Sequence, residues 1–195
     1  PYLIEYPYET IEKKIIYLTD LLENTFQLKM ISHRAGRWAF NNDYAKILID
    51  NGYKVDCSVT PGISWEKNLG DPKKNGGSNY KDFPNYTYFL DKNDISKAGD
   101  SEMLEVPMTI ITNKDLYRLQ NYFIKYFKKI LTNKHGEKIK VFNKDLVSAI
   151  DRYFPPDNWL RPNMNNLNSM MRIVDFSLKN NHNYIEFMLH TSELM

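Results

Sequence analysis

Tyr53, Val55, Cys57 and Val59 alternate with Lys54, Asp56, Ser58 and Thr60, and a period of two marks a strand whose two faces meet different surroundings. Pro61-Gly62 ends it. Helical patterns precede this strand. Ile11, Ile15, Leu18 and Leu22 recur at helical spacing from Thr10, a suitable N-cap, to about Asn24, so an apolar stripe should pack on a sheet. After a short strand at Met30-Ile31, Asn41-Asn42-Asp43 caps a second helix with Tyr44, Ile47 and Leu48 on its apolar face and Gly52 at its end. Strands alternating with helices predict a parallel sheet or a closed barrel, with reactive residues at the carboxyl ends of the strands.

The rest of the chain continues the pattern after one interruption. From Trp65 to Ser101 the composition shifts to Asn, Lys, Asp, Gly and Pro with interspersed tyrosine and phenylalanine, which reads as a long functional loop folded over the rim that holds Arg34 and His190. Leu104 to Ile111 is the next strand, with Pro107 marking an edge or an irregularity. Leu116, Leu119, Phe123, Phe127 and Ile130 mark a third helix, and a fourth runs from Asn143 to Phe154 before Pro155-Pro156. Trp159-Leu160-Arg161-Pro162 reads as extended. Leu167, Met171, Val174 and Leu178 form a last helix closing at Asn180-Asn181, and Tyr184 to Leu189 form a final buried strand that delivers His190.

A chain of 195 residues, 42% hydrophobic, can bury one sizeable core, so residues 1–195 read as a single domain. Its net charge of +2, from 26 basic and 24 acidic residues, gives no argument for a nucleic-acid partner. The lone Cys57 excludes an internal disulfide and a cysteine zinc site, and reads as a small core residue. No run reaches the roughly 20 apolar residues of a membrane helix, and no signal segment opens the chain. A cytoplasmic rather than a periplasmic location is the expectation, as is a truncated domain whose true N-terminus lies upstream of Pro1.

Two arginines and an aromatic ring, in Ser32-His33-Arg34-Ala35-Gly36-Arg37-Trp38, fall where a strand should end. The ordered set R-A-G-R-W, G-Y-x-V-D-x-S-V-T-P, L-E-V-P, W-L-R-P and M-L-H-x-S-E-L-M resembles the polysaccharide deacetylases of the NodB-homology class, and within it the branch associated with bacterial surface-polysaccharide biosynthesis. The resemblance runs from about Tyr2 to the last residue. It implies an α/β fold, a distorted, incomplete (β/α) barrel, and a metal-dependent hydrolase that removes N-acetyl groups from a surface carbohydrate or its precursor.

Such a reaction needs an activated water, a stabiliser for the tetrahedral oxyanion and an acid for the leaving amine. By the resemblance, His190 matches the general acid, Arg34 the arginine that orients the base carboxylate, and Asp56 the aspartate that holds the acid histidine. Arg37, Trp38 and Arg161 are candidate substrate-binding residues, although Trp38 reads equally as a core aromatic and Arg161 as a surface ion pair. His33, where the branch often carries an aromatic, reads as packing; Glu105 and Glu193 fall in matching motifs without an implied role.

The family's early motifs, a paired aspartate and an H-x-x-x-H, are not in this chain, whose His33, His135, His182 and His190 are scattered. A divalent metal, zinc or similar, is therefore expected only if upstream ligands exist. The alternative is a non-catalytic carbohydrate-binding or scaffolding remnant of the same fold.

Overall fold

The computed structural model describes residues 1–112, 157–163 and 166–190. They belong to two compact units, Pro1–Thr109 and Ile110–Met195. The helices expected around Leu116–Ile130 and Asn143–Phe154 lie outside the described residues, as do His135 and Glu193.

In the first unit, helix α1 spans Tyr8–Phe26 and helix α2 spans Asn42–Asp50. Pro7, not Thr10, occupies the N-cap of α1, because a ring that fixes φ and lacks an N–H suits the start of a helix. Its inner stripe is Ile11, Ile15 and Thr19. Leu18, expected on that stripe, is 54% exposed; a strict four-residue step from Ile15 reaches Thr19, whose hydroxyl lies 2.8 Å from that of Tyr53. Asn41 caps α2 as expected, its side chain accepting from the N–H of Tyr44 at 2.9 Å. At the other end Tyr53 N–H donates to Leu48 O and Gly52 N–H to Ile49 O, with Gly52 at φ +83, a Schellman closure that needs the left-handed glycine.

These helices flank a four-stranded sheet in the order β1 (Ser32–His33), β2 (Val55–Asp56), β4 (Leu104–Glu105), β3 (Tyr88–Phe89). β1, β2 and β4 run parallel and β3 pairs antiparallel with β4. β1 forms two residues later than expected, although Ile31 O already accepts from Lys54 and Val55. β3 arises inside the stretch expected to be a loop, and that stretch sends Tyr80, Tyr88, Leu90 and Ile95 into the interior. Of these, Tyr88, Leu90 and Ile95 pack with Ile11, Ile15, Phe40, Ile47, Leu48 and Met103, each large apolar side chain contributing about 1.5–3 kcal/mol on burial.

The polar face of the Tyr53–Thr60 segment is buried beyond the exposed Lys54, together with Tyr53 and Val59 of the other face. Asp56, Ser58 and Thr60 are all at 0% exposure, and Cys57 is half-buried. The expected strand Leu104–Ile111 is broken: β4 ends at Glu105, and β5 (Ile110–Thr112) begins the second unit. Pro107 lies in the break, as the missing N–H of proline within a ladder requires.

In the second unit β5 pairs antiparallel with β6 (Asp157–Trp159). Helix α3 (Leu167–Lys179) packs Ile173 with Ile111 and Leu160. It closes through Asn181 at φ +53, with His182 N–H donating to Ser177 O, asparagine here taking the left-handed place glycine usually fills. Tyr184 to Leu189 does not form the expected buried strand. Met188 is buried and donates to Leu160 O at 3.1 Å, but Phe187 is 50% exposed and the segment joins no ladder among the described residues. Among the described residues the strands form these two open sheets, and no helix is long and apolar enough to cross a membrane.

Candidate functional site

In-register pairing places one residue from each strand on a line across the first sheet: His33, Asp56, Glu105 and Tyr88. They share a face, and each of the first three ends its strand on the carboxyl side. Asp56 and Glu105 are both fully buried carboxylates, and ionised groups out of water persist only where hydrogen bonds replace hydration. Asp56 Oδ1 accepts from His33 Nδ1 at 2.6 Å and from Ser58 Oγ at 2.9 Å, while Oδ2 accepts from Ser58 N–H at 2.9 Å. Glu105 Oε1 accepts from Val59 N–H at 3.0 Å. The Asp56 carboxylate only accepts, which puts a proton on His33 Nδ1 and turns Nε2 toward the Tyr44 hydroxyl at 2.9 Å.

The expectation for His33 was incomplete. Its ring does pack among Phe40, Tyr44 and Tyr53, but it also links the strand row to α2 through both nitrogens. Its register sets this role: His33 is the residue of β1 opposite Asp56, a pairing the sequence alone does not display. The same row raises the buried phenols. Tyr44 is pushed up by burial and then by Asp56, and Tyr88 by burial and then by Glu105 and Asp56.

The corner after β1 carries two further candidates. Ala35 N–H donates to Ser58 Oγ at 2.8 Å, tying the corner to the strand row. Arg37 and Trp38 then take left-handed backbone conformations at φ +56 and +52, which cost of order 1–3 kcal/mol each for residues with a Cβ. Three contacts hold this corner. The guanidinium of Arg37 lies 4.3 Å from the Tyr2 ring centroid. Trp38 stacks on Trp65 with centroids 5.1 Å apart and planes 12° from parallel, and the Tyr80 hydroxyl donates to Trp38 O at 2.6 Å. Trp65 is itself fixed by its Nε1–H donating to Thr60 Oγ1 at 2.9 Å. The Trp65 end of the expected loop thus meets the Trp38 corner. Trp38, open in sequence between platform and core, is half-buried.

Arg34 is exposed at the end of β1. Arg161 and His190 belong to the second unit: Arg161 is half-buried with its carbonyl accepting from Asn166 Nδ2 at 2.7 Å, and His190 is exposed. The histidine that the structure sets beside Asp56 in the first unit is His33.

As metal donors the described residues fit poorly. Both nitrogens of His33 and both oxygens of Asp56 already carry hydrogen bonds, and among the described residues no three His, Cys, Asp or Glu side chains converge. Compared with protein-family models, with curated proteins and with solved structures, the chain matches none.

Proposed function

We propose that this chain takes part in removing N-acetyl groups from a bacterial surface carbohydrate or its precursor, and that its first unit grips the sugar. The Arg37-Trp38 corner carries the reading. Two consecutive left-handed residues other than glycine are held by three separate contacts at the carboxyl end of a parallel strand, the edge at which open α/β sheets bind ligands. Backbone strain maintained in this way is characteristic of ligand clamps. An indole face suits the apolar face of a sugar ring, and a guanidinium beside it donates to hydroxyl or carbonyl oxygens.

In the reaction proper, His190 gives a proton to the departing amine and Arg34 orients the base carboxylate, roles taken from the family resemblance. Closure of the strands into a distorted (β/α) barrel belongs to the same proposal. A divalent ion would supply the activated water, with its ligands coming from outside the described residues. Asp56 and His33 position the corner: the carboxylate holds Ser58, and Ser58 holds Ala35.

The test is acetate release from a panel of N-acetylated oligosaccharides in the presence of zinc or cobalt. Release that falls about 10²–10⁴-fold on His190→Ala is the expected result. A non-catalytic carbohydrate-binding module is the second reading, favoured by the full hydrogen-bonding of His33 and Asp56. Binding of glycan without acetate release would select it, and neither binding nor release would overturn both.

A further inference from the structure

A cleft of about 480 Å³ opens in the first unit beyond the Trp38 corner, between the start of α2, the segment around Ser78 to Phe83, and the turn at Asp94 to Ser96. Its size falls within the range of small-ligand sites. Tyr80, whose hydroxyl holds Trp38, also lines it.

Its walls are fixed before any ligand arrives. Asn42 spans two of them, its Nδ2 donating to Asn93 O at 2.6 Å and its Oδ1 accepting from Ile95 N–H at 3.0 Å. Ser78 Oγ makes a reciprocal pair with the backbone of Phe40, accepting from N–H at 3.0 Å and donating to O at 2.7 Å. Clasps of this kind remove the ordering cost that a flexible site would carry on binding.

The lining is divided in chemistry. Asn41, Asp43, Asn79 and Asp94 contribute amide and carboxylate groups, while the half-buried Phe83 contributes aromatic surface. Phe83 is set edge-on against Tyr80 at 4.9 Å. A pyranose has the same division, with hydroxyls around its rim and C–H groups on its faces. No lysine or arginine is among the lining residues, and the two carboxylates are partly compensated. Asp94 accepts from Lys97 Nζ at 2.7 Å, and Asp43 lies in the first turn of α2, where the helix dipole favours a negative charge. The lining thus carries two carboxylates and no lysine or arginine of its own, a balance that disfavours an anion although Lys97 and the start of α2 offset part of it.

We propose that this cleft binds one neutral, hydroxyl-rich saccharide unit and excludes anionic glycans. The proposal rests on the carbohydrate reading above and deepens it by giving the sugar a place and a charge class. The test is an NMR titration of the full chain, ¹⁵N-labelled, with triacetylchitotriose as the neutral probe and a heparin-derived tetrasaccharide as the anionic one. The neutral probe should shift the side-chain amides of Asn41 and Asn79 and the backbone amide of Ile95, and the anionic probe should not. Phe83→Ala should weaken binding about tenfold. Asp43→Ala, at an exposed position where the fold loses only the small helix-dipole contribution, should do so to a similar degree. If the neutral probe binds and both variants bind it as the wild type does, the cleft assignment is overturned while the carbohydrate reading stands. Equal binding of the anionic probe at the same amides overturns the charge class. Failure of both probes to bind anywhere overturns the cleft and the carbohydrate reading together.

Discussion

Nδ1 of His33 lies 2.6 Å from Oδ1 of Asp56, across two parallel strands in which these residues are register partners. One hydrogen bond thereby joins the centre of the sheet to a helix, because the same imidazole meets the Tyr44 hydroxyl with its other nitrogen. Through Ser58 the carboxylate also reaches Ala35, the first residue of the Arg37-Trp38 corner.

Removing the carboxylate should therefore be more damaging than removing the imidazole. Asp56→Ala strands the His33 N–H and two Ser58 donors in the interior and should cost about 3–5 kcal/mol. His33→Phe keeps the aromatic packing but removes one donor, and should cost about 1–3 kcal/mol. Urea denaturation of both variants checks this. Equal midpoints for His33→Phe and wild type would mean that the imidazole only packs.

The Trp38–Trp65 stack gives an optical signature. Two indoles 12° from parallel at 5.1 Å couple electronically, so Trp38→Phe and Trp65→Phe should each abolish the same far-ultraviolet exciton band. Trp65→Phe should also cost about 0.5–1.5 kcal/mol, since the bond from the indole N–H to Thr60 is lost while a ring remains against Trp38. A band that survives either substitution would place the rings elsewhere.

Local chemistry was legible where a single residue dictates the backbone. The Asn41 cap, the Gly52 closure and the Asn180-Asn181 helix end all formed where side-chain chemistry and φ preference demanded them. Faces and pairings were less legible, because they depend on partners distant in the chain. The Lys54-to-Thr60 parity looks solvent-facing by polarity, yet Asp56, Ser58 and Thr60 are buried because His33, Ala35 and Trp65 supply their hydrogen bonds. β3 was hidden for the same reason: Tyr88-Phe89 is a strand only by virtue of its pairing with Leu104-Glu105. His33 could not be told from a packing residue until β1 was placed two residues downstream of the apolar pair Met30-Ile31.

Gly76 should tolerate no side chain. Its φ is +82, and a Cβ there would stand 2.0 Å from Glu66 O, a backbone atom that cannot swing aside. Gly76→Ala should cost about 2 kcal/mol or more, by combining left-handed strain with an overlap. Because Gly77, the next residue, donates its N–H to Trp65 O at 3.0 Å, the same variant should weaken the indole exciton band. Wild-type thermal stability in Gly76→Ala would show that this loop closes differently.

The buried phenols set the alkaline limit of the fold. Tyr44, Tyr80 and Tyr88 are each raised above the ordinary value of 10.0, in every case first by burial, with Asp56 contributing to all three and Glu105 to Tyr80 and Tyr88. An unfolded chain ionises these groups near 10, whereas the folded chain holds them neutral to higher pH. Stability from this source is thus fully present below about pH 10 and is lost as pH climbs from there toward the folded values. Each such tyrosine can remove at most about 1.4 kcal/mol per pH unit, or about 4 kcal/mol per unit for the three together. The urea midpoint should hardly change between pH 7 and 9 on account of these groups and should fall steeply above about 10, with unfolding and phenolate absorbance rising together. Tyr88→Phe should remove about a third of that slope, because its ring still packs but no longer ionises. If the native protein instead develops the absorbance of these phenolates near pH 10 with no loss of stability, the three hydroxyls are open to water and the buried row beneath them is wrongly placed.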